Sequence, residues 1–127
     1  MKAAILSESG LVIGEAAQPE PKASEILVRV RAAGLNRADV LMADGRKHGS
    51  LGGGGAILGL EWAGEIVAAG SDTEGFTAGD RVMCSGSAGY AEFAVTDWGR
   101  VSPLPTAEMS FEQAATLPIA LQTMHDA

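Results

Sequence analysis

Asn36, Asp39 and Glu61 are the polar side chains of this chain best placed to do chemistry. Asn36 and Asp39 stand in Gly34-Leu35-Asn36-Arg37-Ala38-Asp39, and Glu61 lies in Gly59-Leu60-Glu61-Trp62-Ala63-Gly64. A fixed carboxamide can donate a hydrogen bond to developing negative charge, and a neighbouring carboxylate can orient it or hold a cofactor group. The Asn36/Asp39 spacing serves a structural purpose equally well. An Asn at a helix N-cap and an Asp in the first turn satisfy unpaired backbone donors and favour the positive helix end. The two readings are compatible, because a cap also holds a side chain rigidly for a ligand. Glu61 reads either as a buried pairing partner or as an edge residue.

Other chemistries lack their residues. Zinc needs three or four Cys, His or carboxylate ligands that converge. Cys84, His48 and His125 are far apart in sequence without a paired spacing, and Leu60 beside Glu61 offers no ligand, so no bound metal is expected. There is no G-x-G-x-x-G, and the run Gly52–Gly55 lacks the Lys-Ser/Thr of a phosphate loop, which makes a surface loop its expected role. A self-sufficient dinucleotide site is not expected. Gly86-Ser87-Ala88-Gly89 does not have the spacing of a nucleophile elbow, and neither histidine has an evident orienting partner, which sets a hydrolase aside.

The elements that must position Asn36 and Glu61 are short and glycine-punctuated. Met1–Leu6 and Leu11–Ala16 flank Ser7-Glu8-Ser9-Gly10 and read as a hairpin. Gln18-Pro19-Glu20-Pro21 is a loop. Ile26–Ala32 alternates, with Leu27, Arg29 and Arg31 on one face and Ile26, Val28, Val30 and Ala32 on the other, the valine face inward. Gly34 breaks that strand, and Asn36 opens a helix to Ala43 that Gly45 stops. Strands are expected over Ala63–Ala69, from Arg81 to Cys84, and over Tyr90–Val95. Past Pro103 and Pro105 the pattern turns helical. Ser110-Phe111-Glu112-Gln113 matches a capping box, Pro118 ends or kinks that helix, and Ile119–Ala127 reads as another without a stop signal. About six strands with a few marginal helices predict a small, mainly β barrel or rolled sheet.

Composition narrows the function classes. A chain of 127 residues fits one domain. Net charge is −7 and the nine Lys and Arg residues are scattered, so a nucleic-acid partner lacks its electrostatic basis. The single Cys excludes an intrachain disulfide. No apolar run approaches the ~20 residues of a transmembrane helix, so no membrane association is expected, and the cytoplasm is the default location.

In order along nearly the whole chain, several segments resemble the N-terminal, GroES-like domain of medium-chain dehydrogenases/reductases, in the zinc-independent quinone oxidoreductase branch. They are Glu25-Ile26-Leu27-Val28-Arg29-Val30, Gly34 to Asp39, Leu58-Gly59-Leu60-Glu61-Trp62-Ala63-Gly64-Glu65-Ile66-Val67, Gly79-Asp80-Arg81-Val82, Gly89-Tyr90-Ala91-Glu92, Ala114-Ala115 and Gln122-Thr123. The resemblance implies a partly open β-barrel with short peripheral helices over residues 1–117. It implies that residues 118–127 begin the helix leading to a Rossmann cofactor domain absent from these residues. Asn36 and Asp39 would border the active-site cleft near the nicotinamide, and Thr123 would lie near the cofactor at the domain junction. In zinc-dependent relatives a cysteine matches Asn36 and a histidine matches Leu60, in keeping with the ligand count above. Members of this branch often carry a tyrosine after the Asn36 helix, where this chain has Gly45-Arg46-Lys47-His48, so Lys47 or His48 occupies that neighbourhood.

The expected function is therefore that of the catalytic domain of a zinc-independent, NADPH-dependent oxidoreductase. A hydride would pass from the nicotinamide to a small electron-poor acceptor, a quinone or activated alkene. The intact enzyme is expected to be a homo-oligomer, and the 127 residues alone are expected to be inactive. A stand-alone GroES-like binding or scaffolding module and a zinc alcohol dehydrogenase fragment are the alternatives. Leu117, Ile119 and Leu121 are expected to remain partly uncovered at the junction.

Overall fold

The structure, a computed structural model, describes residues 1–46 and 49–126. Strands β1 (Lys2–Ser7) and β2 (Gly10–Glu15) form the expected hairpin. Ser7 pairs with Gly10, so Glu8-Ser9 is the turn, and the Ser7 hydroxyl donates to the Gly10 carbonyl at 2.8 Å. Leu11, Val12 and Ile13 of β2 are exposed.

Five further strands make one antiparallel sheet in the order β6-β3-β4-β5-β7. They are β3 (Glu25–Ala33), β4 (Glu61–Ala69), β5 (Arg81–Ser85), β6 (Phe93–Asp97) and β7 (Val101–Pro103). The β3–β4 ladder slips register between Leu27 and Val28 and again between Val30 and Ala32. Such bulges bend a strand and increase its twist. The sheet curls into a partly open, mainly β half-barrel, the fold class expected from the sequence. The hairpin joins this body through bridges from Ala3 to Ala91 and from Ile5 to Ile57.

The valine face of β3 points inward as its alternation predicts. Ile26 and Val28 pack with Trp62, Ile66, Val82, Cys84 and Ala94 in the principal core. Arg29 and Arg31 are exposed, whereas Leu27 is buried, so the first half of β3 is covered on both faces. Arg31 is free to meet Glu65 at 2.9 Å across the sheet.

Several element boundaries differ from the sequence reading. β4 begins at Glu61, two residues before Ala63, because Glu61 and Trp62 find partners in Ser85 and Cys84. β6 begins at Phe93 and not at Tyr90. The Tyr90 backbone is committed elsewhere, its N–H to Leu58 and its carbonyl to Ala4, both at 2.8 Å. The unforeseen β7 is three residues long and ends in Pro103, which an edge strand tolerates. Pro118 is the first residue of a new helix, where its missing N–H costs nothing.

Three helices flank the barrel: α1 (Arg37–Ala43), α2 (Phe111–Ala114) and α3 (Pro118–Asp126). Ser110 and Gln113 form the predicted capping box, with bonds of 3.0 and 3.1 Å. Arg81 fixes the approach to α2. Its guanidinium donates to the carbonyls of Ala107 and Met109, both at 2.9 Å, and lies 4.6 Å from the centre of the Phe111 ring. Ala114 and Ala115 then pack against Ala63 and Met83. Leu117 and Ile119 are half-buried and Leu121 is exposed. Among the described residues no helix is long and apolar enough to cross a membrane. The expectation for Lys47 and His48 lies outside the described residues.

Candidate active site

The site forms where β3 stops, α1 starts and β4 begins. Gly34 turns the chain out of β3 and donates its N–H to the Glu61 carbonyl at 3.0 Å. A Cβ at Gly34 would lie 2.5 Å from Glu61 Oε1 and 2.7 Å from the Ala115 carbonyl oxygen. Only glycine lets the Glu61 carboxylate lie against the backbone at this point.

Asn36 is the N-cap residue of α1, and Asp39 three residues on closes the cap from its side chain. Asp39 Oδ2 accepts the Asn36 backbone N–H at 2.9 Å. The Asn36 amide is turned toward β4, where Nδ2 donates to Glu61 Oε1 at 3.0 Å. The cap at this end is thus made by the Asn36 backbone and the Asp39 carboxylate, and the Asn36 side chain, which makes no cap bond, is committed to Glu61. Glu61 Oε2 accepts the Ile119 N–H at 2.9 Å, so its carboxylate also sits on the first turn of α3. That first turn has no internal acceptors for its N–H groups, and the helix dipole favours a negative group there. Asp39 and Glu61 are only 5% and 4% exposed, which settles the second question: Glu61 is a buried pairing partner.

Tyr90 completes the cluster. Its hydroxyl lies 2.8 Å from Asp39 Oδ2 and 3.0 Å from the Gly34 carbonyl oxygen. A phenol has one proton to donate, so these two acceptors share it. Burial first, then the bond to Asp39 and the charges of Asp39 and Glu61, push the phenol well above its ordinary 10.0, and it stays protonated. Tyr90 is the only tyrosine of the chain. A tyrosine therefore does reach Asp39, from a segment far along the sequence and not from the stretch following α1. The available signal was a lone phenol in the Gly89-Tyr90-Ala91-Glu92 segment. What was missing was the fold that carries it to Asp39. Gly59, at φ +109°, turns so close to Tyr90 that a Cβ there would lie 2.6 Å from the Tyr90 nitrogen.

Asp39 Oδ1 is buried and has no hydrogen-bond partner among the described residues. A buried acceptor in that state calls for a donor from a ligand or an ordered water. Beside the cluster, Met42, Leu58, Gly59, Leu60, Ser87 and Ala88 help to line a cavity of about 230 Å³. Ala88 is held at φ +63°, a left-handed conformation that a residue with a Cβ adopts at a cost. Thr123 is exposed on α3, one turn beyond the Ile119 contact, and is not drawn into the cluster.

Cys84 lies in the core, and burial pushes its thiol from 9.0 up to about 12, so it offers neither a nucleophile nor a metal ligand at neutral pH. Among the described residues no three His, Cys, Asp or Glu side chains are grouped to hold a metal ion.

The raised thiol and phenol give an alkaline signature. Each group keeps its proton in the folded state at a pH where the unfolded chain has lost it, so its contribution is complete below the unfolded value and is lost as pH rises. Loss of stability should begin near 9.0 through Cys84 and deepen above 10.0 through Tyr90. Melting temperatures measured between about pH 7 and pH 11 should show this. In Cys84→Ala the onset should move up toward 10.0, where Tyr90 takes over. An identical pH profile for that variant would refute the assignment.

Comparison with known proteins gives a consistent result. The family described as alcohol dehydrogenase GroES-like domain matches residues 22–106. Erythronolide synthase EryA2 of Saccharopolyspora erythraea is 36% identical over 122 residues, covering 91% of this chain and 3% of that protein. The crystal structure of CurK enoyl reductase superposes with a TM-score of 0.84 at 32% identity, covering 96% of this chain and 40% of that one. The Escherichia coli quinone oxidoreductase complexed with NADPH superposes with a TM-score of 0.79 at 31% identity, over 91% of this chain and 36% of that one. The chain thus spans about two fifths of the length of these solved relatives.

Proposed function

We propose that this chain, which belongs to the alcohol dehydrogenase GroES-like domain family, is the acceptor-binding catalytic domain of an NADPH-dependent oxidoreductase that reduces a quinone or an activated alkene. The single observation that carries the reading is the hydrogen-bonded set Glu61–Asn36–Asp39–Tyr90, its two carboxylates buried and its amide and phenol half-buried where β3 gives way to α1. It is supported by the quinone oxidoreductase and the enoyl reductase among the structural relatives.

NADPH, when bound, supplies a hydride; the nucleotide-holding domain is proposed to follow α3, after a catalytic domain over residues 1–117. The donor set fits the nicotinamide end of such a cofactor. Asp39 Oδ1 is an acceptor still in need of a donor, and a carboxamide or ribose hydroxyl would provide one. Thr123, exposed on α3, would meet the cofactor from the junction side. The Asn36 amide has two N–H bonds, one of them taken by Glu61. The second is left to polarise the acceptor oxygen, which gains negative charge as reduction proceeds. Glu61, accepting from both Asn36 and Ile119, keeps that N–H aimed without reorganisation. The apolar wall formed by Met42, Leu58 and Leu60 would seat the carbon skeleton and keep water away. The acceptor is a small molecule, the working enzyme a homo-oligomer, and its location the cytoplasm.

The test is direct. An enzyme containing this domain should oxidise NADPH with a simple quinone or an enone, whereas the 127 residues alone should neither turn over nor bind NADPH at micromolar concentrations by calorimetry. Turnover of alcohols but neither acceptor class would overturn the proposal.

A further inference from the structure

The Glu61 carboxylate is shared between two parts of the molecule that are distant in sequence. Oε1 holds the Asn36 amide at 3.0 Å and Oε2 holds the Ile119 N–H at 2.9 Å. Its own freedom is small. Its carbonyl is fixed by Gly34, its backbone pairs with Ser85, and its side chain lies directly against the Gly34 Cα. The Asn36 backbone is fixed separately by Asp39, and Asp39 by Tyr90. The Asn36 amide is therefore adjustable chiefly through Glu61, and Glu61 chiefly through α3. Pro118 supplies no N–H, which leaves Ile119 as the first donor of α3 able to reach the carboxylate.

From this we infer that Glu61 is a positioning residue that couples the placement of α3 to the orientation of the Asn36 amide. A shift of the first turn of α3 has to break the Ile119 bond or draw the carboxylate with it, and the carboxylate carries Asn36. In an enzyme whose second domain follows α3, movement of that domain would then set whether Asn36 is aimed at the acceptor. This deepens the reading of Asn36 given above and rests on it for its catalytic meaning. The coupling itself is a property of this chain's own residues. Glu61→Gln is the informative replacement. Its oxygen can serve one of the two donors while its NH2 faces the other, so one link is lost in either orientation.

The experiment uses ¹⁵N-labelled chain and reads two resonances, the Asn36 side-chain amide and the Ile119 backbone amide. Gln122→Gly loosens α3 at an exposed position. It should move the Asn36 amide resonance in the otherwise unchanged chain and leave it in place in the Glu61→Gln background. Equal movement in both backgrounds would overturn the coupling. Coupling between two sites is reciprocal. Asn36→Ala should therefore shift the Ile119 amide, and an unmoved Ile119 amide would sink the inference even if Glu61→Gln fails to fold. Neither readout involves hydride transfer. If the coupling is found while Asn36→Ala keeps full turnover in the intact enzyme, the reading of Asn36 falls and the coupling stands. If the resonances stay fixed while turnover collapses, the reverse holds.

Discussion

Replacing Asn36 by alanine in the intact enzyme is expected to lower kcat by about 10²–10³-fold, equivalent to about 2.7–4 kcal/mol, the usual cost of losing one preorganised donor to developing negative charge. KM should change far less, because the acceptor oxygen carries little charge before reduction begins. The substitution also leaves the buried Glu61 Oε1 without its donor, which costs about 1–3 kcal/mol of stability. The two effects are separable. Asn36→Ser brings a favourable capping oxygen, which offsets part of that cost, but has no amide to hold against Glu61. It should keep most of the melting temperature and lose most of the turnover. Steady-state kinetics well below the melting temperature, with thermal unfolding of both variants, make the check. A kcat within a few-fold of the unsubstituted enzyme for Asn36→Ala would remove it from the catalytic machinery.

Trp62→Ala should be the most damaging truncation in the core, at about 3–5 kcal/mol. Small domains typically have only about 5–15 kcal/mol of stability to lose. Trp62 is 0% exposed and lies beside Glu61 on β4, packed among Ile26, Val28, Val82 and Cys84. The backbone closes tightly around it, since a Cβ at Gly86 or Gly89 would stand 2.8 or 2.5 Å from its ring. Glycines pressed so near the indole cannot fill the space it would vacate, and the cavity term applies nearly in full. Trp62 Nε1 has no hydrogen-bond partner among the described residues, so the loss is one of packing and not of a polar contact. Trp62→Phe should accordingly cost less than half as much. Urea midpoints with an unchanged m-value would measure both. A loss below about 1 kcal/mol for Trp62→Ala would mean that the sheet collapses onto the site, contrary to the cavity argument.

Much of the fold was legible because its signals are local. The Ser7–Gly10 turn sets the hairpin register, the alternation of β3 selects its buried face, and the Ser110/Gln113 box opens α2. The missed elements are those whose cause is non-local. Val101–Pro103 is a strand only because β5 offers a free edge, and Tyr90 leaves its expected strand because Leu58 and Ala4 take its backbone groups.

The candidate site divides in the same way. Asn36 and Asp39 are paired by their three-residue spacing, and one turn of helix suffices to join them. The scatter of Cys84, His48 and His125 and the leucine at position 60 were, as residue types and spacing, the ground for expecting no zinc site. The motif order was enough to identify the family, which the match over residues 22–106 bears out. Glu61 was ambiguous in the sequence, since a glutamate between Leu60 and Trp62 has no local partner that decides its burial. The tertiary structure decides it by bringing Asn36 from 25 residues away and Ile119 from 58 residues away to the same carboxylate. Tyr90 reaches Asp39 across 51 residues by the same means. Short-range patterns fix caps, turns and faces. A buried polar network is settled only when the sheet closes, because each charged member is tolerable inside only beside partners that the fold delivers.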